Sequence, residues 1–324
     1  MPIVRPVLYG EVEPESFKRI PDEVVVRDPS VAIADDVVLV PGHVFVDRRN
    51  GQVLPQSYDI ATSGGALTGI ETRPPKPFSL PQQAEQLFVV DSHFPGYGHF
   101  LLEAIPKLML LDRAPADIGI ATSVPRSATF DAMVGALGVE PSRIRHFNEP
   151  VFCRRAFLPE RLVHLDQCIH PLARQAFSRI RALGETSAAE VADRIFISRS
   201  RFRRRRLTNE TQIEALFERH GFRIVHPELL PIEAQIALFS NAKMIAGLGG
   251  SAMHNTVFTN PGAKVLIVSA RQWFVRTDVL ISQHDGQLAY VFGEPDGDSP
   301  DVGDADWSVD PAAVEAAIVG HFGL

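Results

Sequence analysis

Ile195-Phe196-Ile197, Phe222-Arg223-Ile224-Val225, Met244-Ile245-Ala246 and Val265-Leu266-Ile267-Val268 are four short apolar runs within the stretch 194–268. Their reading decides the fold. Between the first two, Leu207 to Gln212 reads as the start of a helix, with Asn209 as N-cap and Gln212 at the third position. Ile213, Leu216 and Phe217 supply its apolar stripe, and Gly221 its left-handed stop. Pro231 opens a second helix at its first turn, with Ile232, Ile236 and Phe239 facing inward. The third run breaks into Gly247-Leu248-Gly249-Gly250-Ser251-Ala252, after which Met253 to Phe258 can coil before the Asn260-Pro261-Gly262 turn. Strands alternating with helices over short loops predict a parallel sheet wrapped by helices. Continuous apolar runs suit strands covered on both faces. Such a doubly wound domain presents its ligand-facing loops at the carboxyl ends of its strands.

Two unusual loops fall at such ends. Six arginines, Arg199, Arg201, Arg203, Arg204, Arg205 and Arg206, crowd eight positions after the first strand. Guanidinium forks bind phosphate oxygens bidentately, so this loop reads either as a diphosphate clamp or as a solvated charged turn. The glycine loop after the third strand lets backbone approach a ligand, and the helix start behind it offers N–H groups and positive dipole to an anion. The competing reading is a plain tight turn. Gly247, Gly249 and Ala252 also fit the dinucleotide fingerprint G-x-G-x-x-A. That motif belongs in a first βα unit with an acid after the next strand, whereas here two units precede it and Ser269-Ala270-Arg271 follows.

Outward from this stretch, 324 residues and 35.6 kDa favour two domains. Composition is that of a globular protein, 45% hydrophobic and 22% charged, with mean hydropathy +0.02. The net charge of −7 makes the arginine cluster a local device on an acidic molecule and argues against a nucleic-acid binder. Two cysteines, Cys153 and Cys168, form no metal or disulfide framework, which suits a reducing compartment. The start lacks the apolar core of a signal peptide, and the longest apolar segment, 100–111, is broken by Glu103, Pro106 and Lys107. The expectation is a cytoplasmic protein; peripheral membrane contact is compatible with the sequence without being called for, and oligomeric state stays open.

Residues 1 to about 85 form a β-rich lead-in, with short strands expected at Val24-Val25-Val26, Val37 to Val40 and Val44 to Val46, a tight turn at Arg48-Arg49-Asn50-Gly51, and an end at Pro74-Pro75 and Pro77. Phe88 to Asp91 reads as a buried strand. A helix follows from Gly98, with a bend at Pro106. Ile118–Ala121, Phe130–Leu137 and Ile144–Phe147 continue the alternation, paired strands are expected over Phe157–Leu165, and a helix over Leu172–Leu183 closes the first domain. The predicted domains are 1–185, the lead-in plus a Rossmann-like domain, and 186–324. The second adds a strand at Leu288–Phe292, an acidic loop at Glu294–Asp304 and a closing helix from Pro311.

His99 and Glu103 lie four apart on one helix face and are candidates for proton transfer, the bland alternative being a satisfied structural pair. Burial in an apolar stretch would raise the Glu103 pKa toward a base's range. Glu233, Gln235, His254 and Asn255 are polar groups on apolar segments, either ligand contacts or backbone bridges. Asp304-Ala305-Asp306 matches a metal-binding D-x-D only formally, in surroundings that read as solvated surface.

The stretches Gly96-Tyr97-Gly98-His99-Phe100-Leu101-Leu102-Glu103, Ile197-Ser198-Arg199 through Glu210, Gly221 to Val225, Glu233-Ala234-Gln235 and Gly247 to Phe258 together resemble glycosyltransferase family 61. That group includes bacterial capsular polysaccharide biosynthesis proteins and eukaryotic N-acetylglucosaminyl- and xylosyl-transferases. The resemblance spans about Val89 to Val268, in order. It implies a GT-B-like α/β architecture, two Rossmann-like doubly wound domains facing a cleft. It also implies inverting, metal-independent transfer from a nucleoside-diphosphate sugar, UDP-linked in our reading, to a glycan or lipid-linked acceptor, with no other cofactor. Carried over by position, Arg199, Arg206, Gly249, Gly250, Ser251, Ala252, His254 and Asn255, with Glu233 and Gln235, would hold the donor, and His99 and Glu103 would line the acceptor side. The chain departs from the pattern at Gly249, where many members carry histidine; His254 is the imidazole further along. Two other readings stay open, a non-catalytic nucleotide- or anion-binding module and an NADP-linked reductase with Arg271 on the 2′-phosphate.

Overall fold

A computed structural model describes residues 2–57, 83–282, 287–296 and 305–324. The chain divides into two units, Met1–Val25 together with Arg181–Leu324, and Val26–Ile180. The sequence suggests keeping the first 25 residues with the strands after them, but they group with the far end of the chain. β1 (Val7–Tyr9) pairs in parallel with residues 289–291. The short helix α1 (Glu15–Lys18) buries Phe17 edge-on against Phe274, Tyr290 and Phe292. No strand forms at Val24-Val25-Val26: Glu23 makes an isolated bridge to Pro2, and Val25 is exposed. Pro74, Pro75, Pro77 and the acidic segment 297–304 lie outside the described residues.

In the second unit, β2 (Val31–Val40), β3 (Val44–Asp47), β4 (Gln83–Val89), β5 (Gly119–Thr122), β6 (Ile144–His146) and β7 (Val151–Pro159) form one sheet in the order β3-β2-β7-β4-β5-β6. β7, β4, β5 and β6 are parallel, while β2 is antiparallel to β7 and β3. The lead-in strands therefore extend this domain's own sheet. Alternate residues point to one side, as strand geometry requires: Val37, Leu39, Leu87, Val89, Val151 and Cys153 share a core with Phe45. The turn after β3 uses Gly51 at φ 72°, with Asp47 N–H donating to the Gln52 carbonyl. Of the paired strands expected over 157–165, Phe157 to Pro159 instead end β7, and only β8 (Val163–His164) pairs, with β9 (Cys168–Ile169).

After β4 the chain coils continuously but changes type. α2 (Tyr97–His99) gives way to a π turn over Phe100–Ala104 and then to a 3₁₀ stretch over Ile105–Arg113. Proline has no N–H and its ring crowds the preceding turn, so the ladder changes register around Pro106 instead of running through it. α3 (Ala128–Ala136) starts where Ser127 Oγ accepts the Phe130 N–H, and α4 (Pro171–Arg181) closes the unit.

In the first unit, β10 (Arg194–Ile197), β11 (Arg223–Val225), β12 (Met244–Leu248), β13 (Lys264–Ala270) and β14 (Leu288–Pro295) run parallel in the order β1-β14-β13-β12-β10-β11, and β15 (Trp307–Ser308) pairs antiparallel with β14. α5 (Glu210–Arg219) and α8 (Pro311–Phe322) cover one face, where Phe196, Phe217, Leu266, Val291 and Ile318 are buried together. Each such fully buried side chain contributes about 1.5–3 kcal/mol. α6 (Ile232–Asn241), a 3₁₀ turn over Ser251–Phe258 and α7 (Arg276–Ile281) gather on the other face. Asp310 caps α8 ahead of Pro311, Gly323 at φ 74° ends it, and Gly221 at φ 77° stops α5 as expected.

Each of the two larger sheets contains a reversal of strand order among its parallel strands. From β10 the chain moves outward to β11, then returns past β10 to β12 and onward, so the order 2-1-3-4-5 reverses between β10 and β12. In the other unit β4, β5 and β6 step one way and β7 lies on the far side of β4. In open α/β sheets ligands bind beyond the carboxyl ends of the strands at such switch points.

Candidate active site

At the β4/β7 reversal, His99 Nδ1 lies 2.5 Å from Glu103 Oε1. Glu103 is fully buried, and its other oxygen accepts the His93 N–H at 3.1 Å. Arg161, two residues beyond β7, has Nε 3.9 Å from that same oxygen and donates through Nη2 to His93 Nδ1 at 2.9 Å. Burial alone pushes the Glu103 carboxyl up, as the apolar stretch leads one to expect. The hydrogen bond from His99 and the charge of Arg161 outweigh it and hold the pKa at about 2. Glu103 is therefore an ionised acceptor, and not a base poised near neutrality. Because an ionised carboxylate only accepts, His99 Nδ1 donates this hydrogen bond, which leaves Nε2 as the ring nitrogen turned away from Glu103. The His99 side chain remains one-third exposed.

A buried polar layer lies behind this pair. Lys107, fully buried, donates to the Asp91 carbonyl at 2.7 Å and lies 3.4 Å from His43 Nδ1. Burial, reinforced by the charges of Lys107 and Arg161, pushes the His43 pKa well down. Asp91 Oδ1 accepts from Ser123 Oγ (2.7 Å), Ser123 N–H and Ser92 N–H, and Oδ2 from the His43 N–H. Burial raises the Asp91 pKa against these bonds.

At the β10/β12 reversal the arginine and glycine loops touch. Arg199 Nη1 donates to the Gly249 carbonyl at 2.8 Å. The start of the arginine loop is pinned by Glu210, whose Oε1 accepts the Arg199 N–H at 2.7 Å and Ser198 Oγ at 3.0 Å. Burial, then the nearby charge of Arg205, lowers the Arg199 pKa. A narrow crevice of about 10 Å³, room for little more than one water molecule, lies beside these groups. Arg201, Arg203 and Arg204 are exposed, so part of the cluster is the solvated turn.

The other residues singled out in the sequence divide. Gly250 lies against the Arg199 guanidinium, where a Cβ would meet Nη1 at 3.3 Å; Ser251 is exposed and Ala252 half-buried at the start of the 3₁₀ turn. Gly247 and Gly249 answer to packing: a Cβ at Gly247 would stand 2.5 Å from Met253 Sδ and 2.7 Å from Ile197 Cβ, and one at Gly249 2.6 Å from Ser269 Oγ. Arg206 turns away to the surface, where Nε and Nη2 donate to Asp306 Oδ2 at 3.0 and 2.6 Å. That occupies the Asp306 of the formal D-x-D, whose Asp304 lies outside the described residues. Asn209 stands at the N-cap position of α5 as expected, but its side chain accepts no helix N–H; its amide donates to the Val309 carbonyl instead. Asn255 donates to Gln235, which donates to the Leu230 carbonyl, so this pair bridges α6 to the turn. His254 Nε2 lies 3.5 Å from Asp278, Glu233 is half-buried, and Arg271 pairs with Glu294 at 2.8 Å.

Arg161, Lys107, Asp91 and Glu210 carry no motif that singles them out for chemistry. The available signal was a charge beside a buried-type apolar run, as in Phe157-Leu158-Pro159-Glu160-Arg161-Leu162. Among the described residues, no three His, Cys, Asp or Glu side chains gather in a way that could hold a metal ion, and no helix is long and apolar enough to cross a membrane.

The family model Glycosyltransferase 61 matches residues 97–266, just over half of the chain. The chain belongs to glycosyltransferase family 61. A search of curated proteins finds no match. The matched span of this family 61 glycosyltransferase contains His99, Glu103, Arg161, Arg199, Glu210 and the glycine loop; Trp273, Asp306 and Trp307 lie beyond it. Membership makes it an enzyme acting on a sugar donor and an acceptor, which sets aside the reductase and the non-catalytic module.

Proposed function

We propose that this glycosyltransferase moves a sugar, with inversion and without a metal, from a nucleoside diphosphate to a hydroxyl of a glycan or lipid-linked acceptor. We propose a GT-B arrangement and, as the setting, bacterial surface polysaccharide synthesis. The contact of Arg199 with Gly249 at the β10/β12 reversal carries the donor half of the reading. As the sugar–phosphate bond breaks, charge builds on the departing diphosphate, and donors fixed beforehand stabilise it without reorganising. Arg199 and the N–H groups at the start of the 251–258 turn are such donors.

His99 is the base. Its Nε2 takes the proton of the acceptor hydroxyl as that oxygen attacks the anomeric carbon, and Glu103 stabilises the imidazolium through Nδ1. Burial of Glu103 supports single displacement, since a carboxylate enclosed in protein is not a nucleophile toward a sugar. The test is a panel of sugar nucleotides assayed for transfer and donor hydrolysis. His99→Ala should lower turnover by roughly 10²- to 10⁴-fold, the usual worth of a positioned base, while leaving donor affinity intact. Turnover at the parent rate would remove His99 from its role, and no turnover of any sugar nucleotide by the parent would refute the reaction.

A further inference from the structure

The crevice beside Arg199 holds features that phosphate binding does not use. It lies at the ends of β10, β12 and β13 and is lined by Arg199, Arg205, Gly249, Gln272, Trp273 and Trp307, among others. The chain has two tryptophans, and they differ: Trp307 is buried at 3% exposure and Trp273 shows 37%. The Arg205 guanidinium lies 3.7 Å over the Trp273 ring, so this indole face accepts a flat group at stacking distance. Arg205 itself is in the left-handed region at φ 54°, held there while its carbonyl accepts Trp307 Nε1 at 3.2 Å. Such conformations are costly for a residue with a side chain and gather at ligand clamps. The Gln272 Oε1 is buried and has no hydrogen-bond partner among the described residues, an acceptor that a ligand N–H would satisfy. The turn carrying both residues is braced, because Ser269 Oγ donates to the Trp273 carbonyl at 3.1 Å and sits under Gly249.

We propose that Trp273 is the stacking platform for the donor's nucleobase, with the Gln272 amide meeting the edge of the base and Arg205 moving from the indole to the diphosphate. This rests on the nucleotide-donor reading above. Every base has a π-face and a polar edge with neighbouring donor and acceptor, so an indole face plus one amide recognises the class. Two guanidinium groups close enough to feel each other gain when a diphosphate enters between them. Arg205 then exchanges a cation–π contact for a charge-assisted one.

The test is calorimetric titration of the full chain with UDP, CDP, GDP, ADP and dTDP, and with inorganic pyrophosphate, for the parent, Trp273→Leu and Trp273→Phe. Base–aromatic stacking implies that Trp273→Leu weakens the tightest nucleoside diphosphate roughly 5- to 150-fold. Pyrophosphate binding should stay within twofold of the parent, and Trp273→Phe should recover most of the loss. An unchanged Kd in Trp273→Leu overturns the platform while the donor reading stands, and so does an equal loss for pyrophosphate. If the parent binds none of the five diphosphates, the donor reading fails and takes the platform with it.

Discussion

Replacing Glu103 by Gln tests the electrostatics of the His99–Glu103 pair without any knowledge of the substrate. The carboxyl is fully buried, and its pKa falls from an ordinary 4.5 to about 2. A depressed folded-state pKa means that the charged form stabilises the fold. That contribution is fully present above the unfolded value and is lost as pH falls from about 4.5 toward 2. The shift corresponds to about 3 kcal/mol at pH 7 and to less than half of that at pH 3. Glutamine keeps the shape but not the charge, so the difference between parent and variant isolates this group from the other carboxylates that titrate in acid. Urea unfolding of both proteins at pH 7 and pH 3, compared through midpoint and slope, should show a gap that narrows on acidification. A gap of equal size at both pH values, or one that widens in acid, would refute an ionised Glu103 held by His99 and Arg161.

Arg199→Met removes the guanidinium that joins the arginine loop to Gly249; binding of the preferred nucleoside diphosphate should weaken roughly 10- to 150-fold, the worth of a charged hydrogen bond, and calorimetry showing parental affinity would contradict the donor site. Arg206→Ala should leave nucleotide affinity unchanged, because that side chain is engaged on Asp306 at the surface; a loss comparable to Arg199→Met would show that Arg206 reaches the donor after all. Gly247→Ala forces a methyl against Met253 Sδ and Ile197 Cβ and should cost about 1–3 kcal/mol, as overpacking does, lowering Tm in differential scanning calorimetry. In a double-mutant cycle with Met253→Ala, which costs stability of its own, Gly247→Ala should cost less than it does alone but still more than nothing, since Ile197 sits on a fixed strand; an unchanged cost would place the strain elsewhere.

The parallel sheet of the first unit was legible because each strand announces itself locally. Ile195 to Ile197 and Val265 to Val268 are unbroken apolar runs that only a strand covered on both faces would tolerate. Sheet order across long separations was not legible. β2 reads as a strand, yet nothing local says that Val31 will register with Pro159, or that Val7 will register with Ala289. The same limit hid Arg161, which meets Glu103 only because β7 lies beside β4. Periodicity did put His99 and Glu103 on one face, but it misjudged the direction of the Glu103 shift. Burial is visible in an apolar stretch, whereas the compensating His99 bond and Arg161 charge are three-dimensional facts. Glycine spacing suggested ligand approach at 247, 249 and 250, while at Gly247 and Gly249 the missing side chains make room for Met253, Ile197 and Ser269.

One acid ties together pieces of chain that the sequence keeps far apart. Through its two oxygens Asp91 holds the bend between β2 and β3 at His43, the exit of β4 at Ser92 and the exit of β5 at Ser123. Sharing that anchor, the three corners cannot slacken one at a time. A knock to the upstream bend would reach the loop that carries His93 through this carboxylate as well as through the neighbouring His43 and His93 rings, so the corner around Glu103 shares the rigidity of the hairpin.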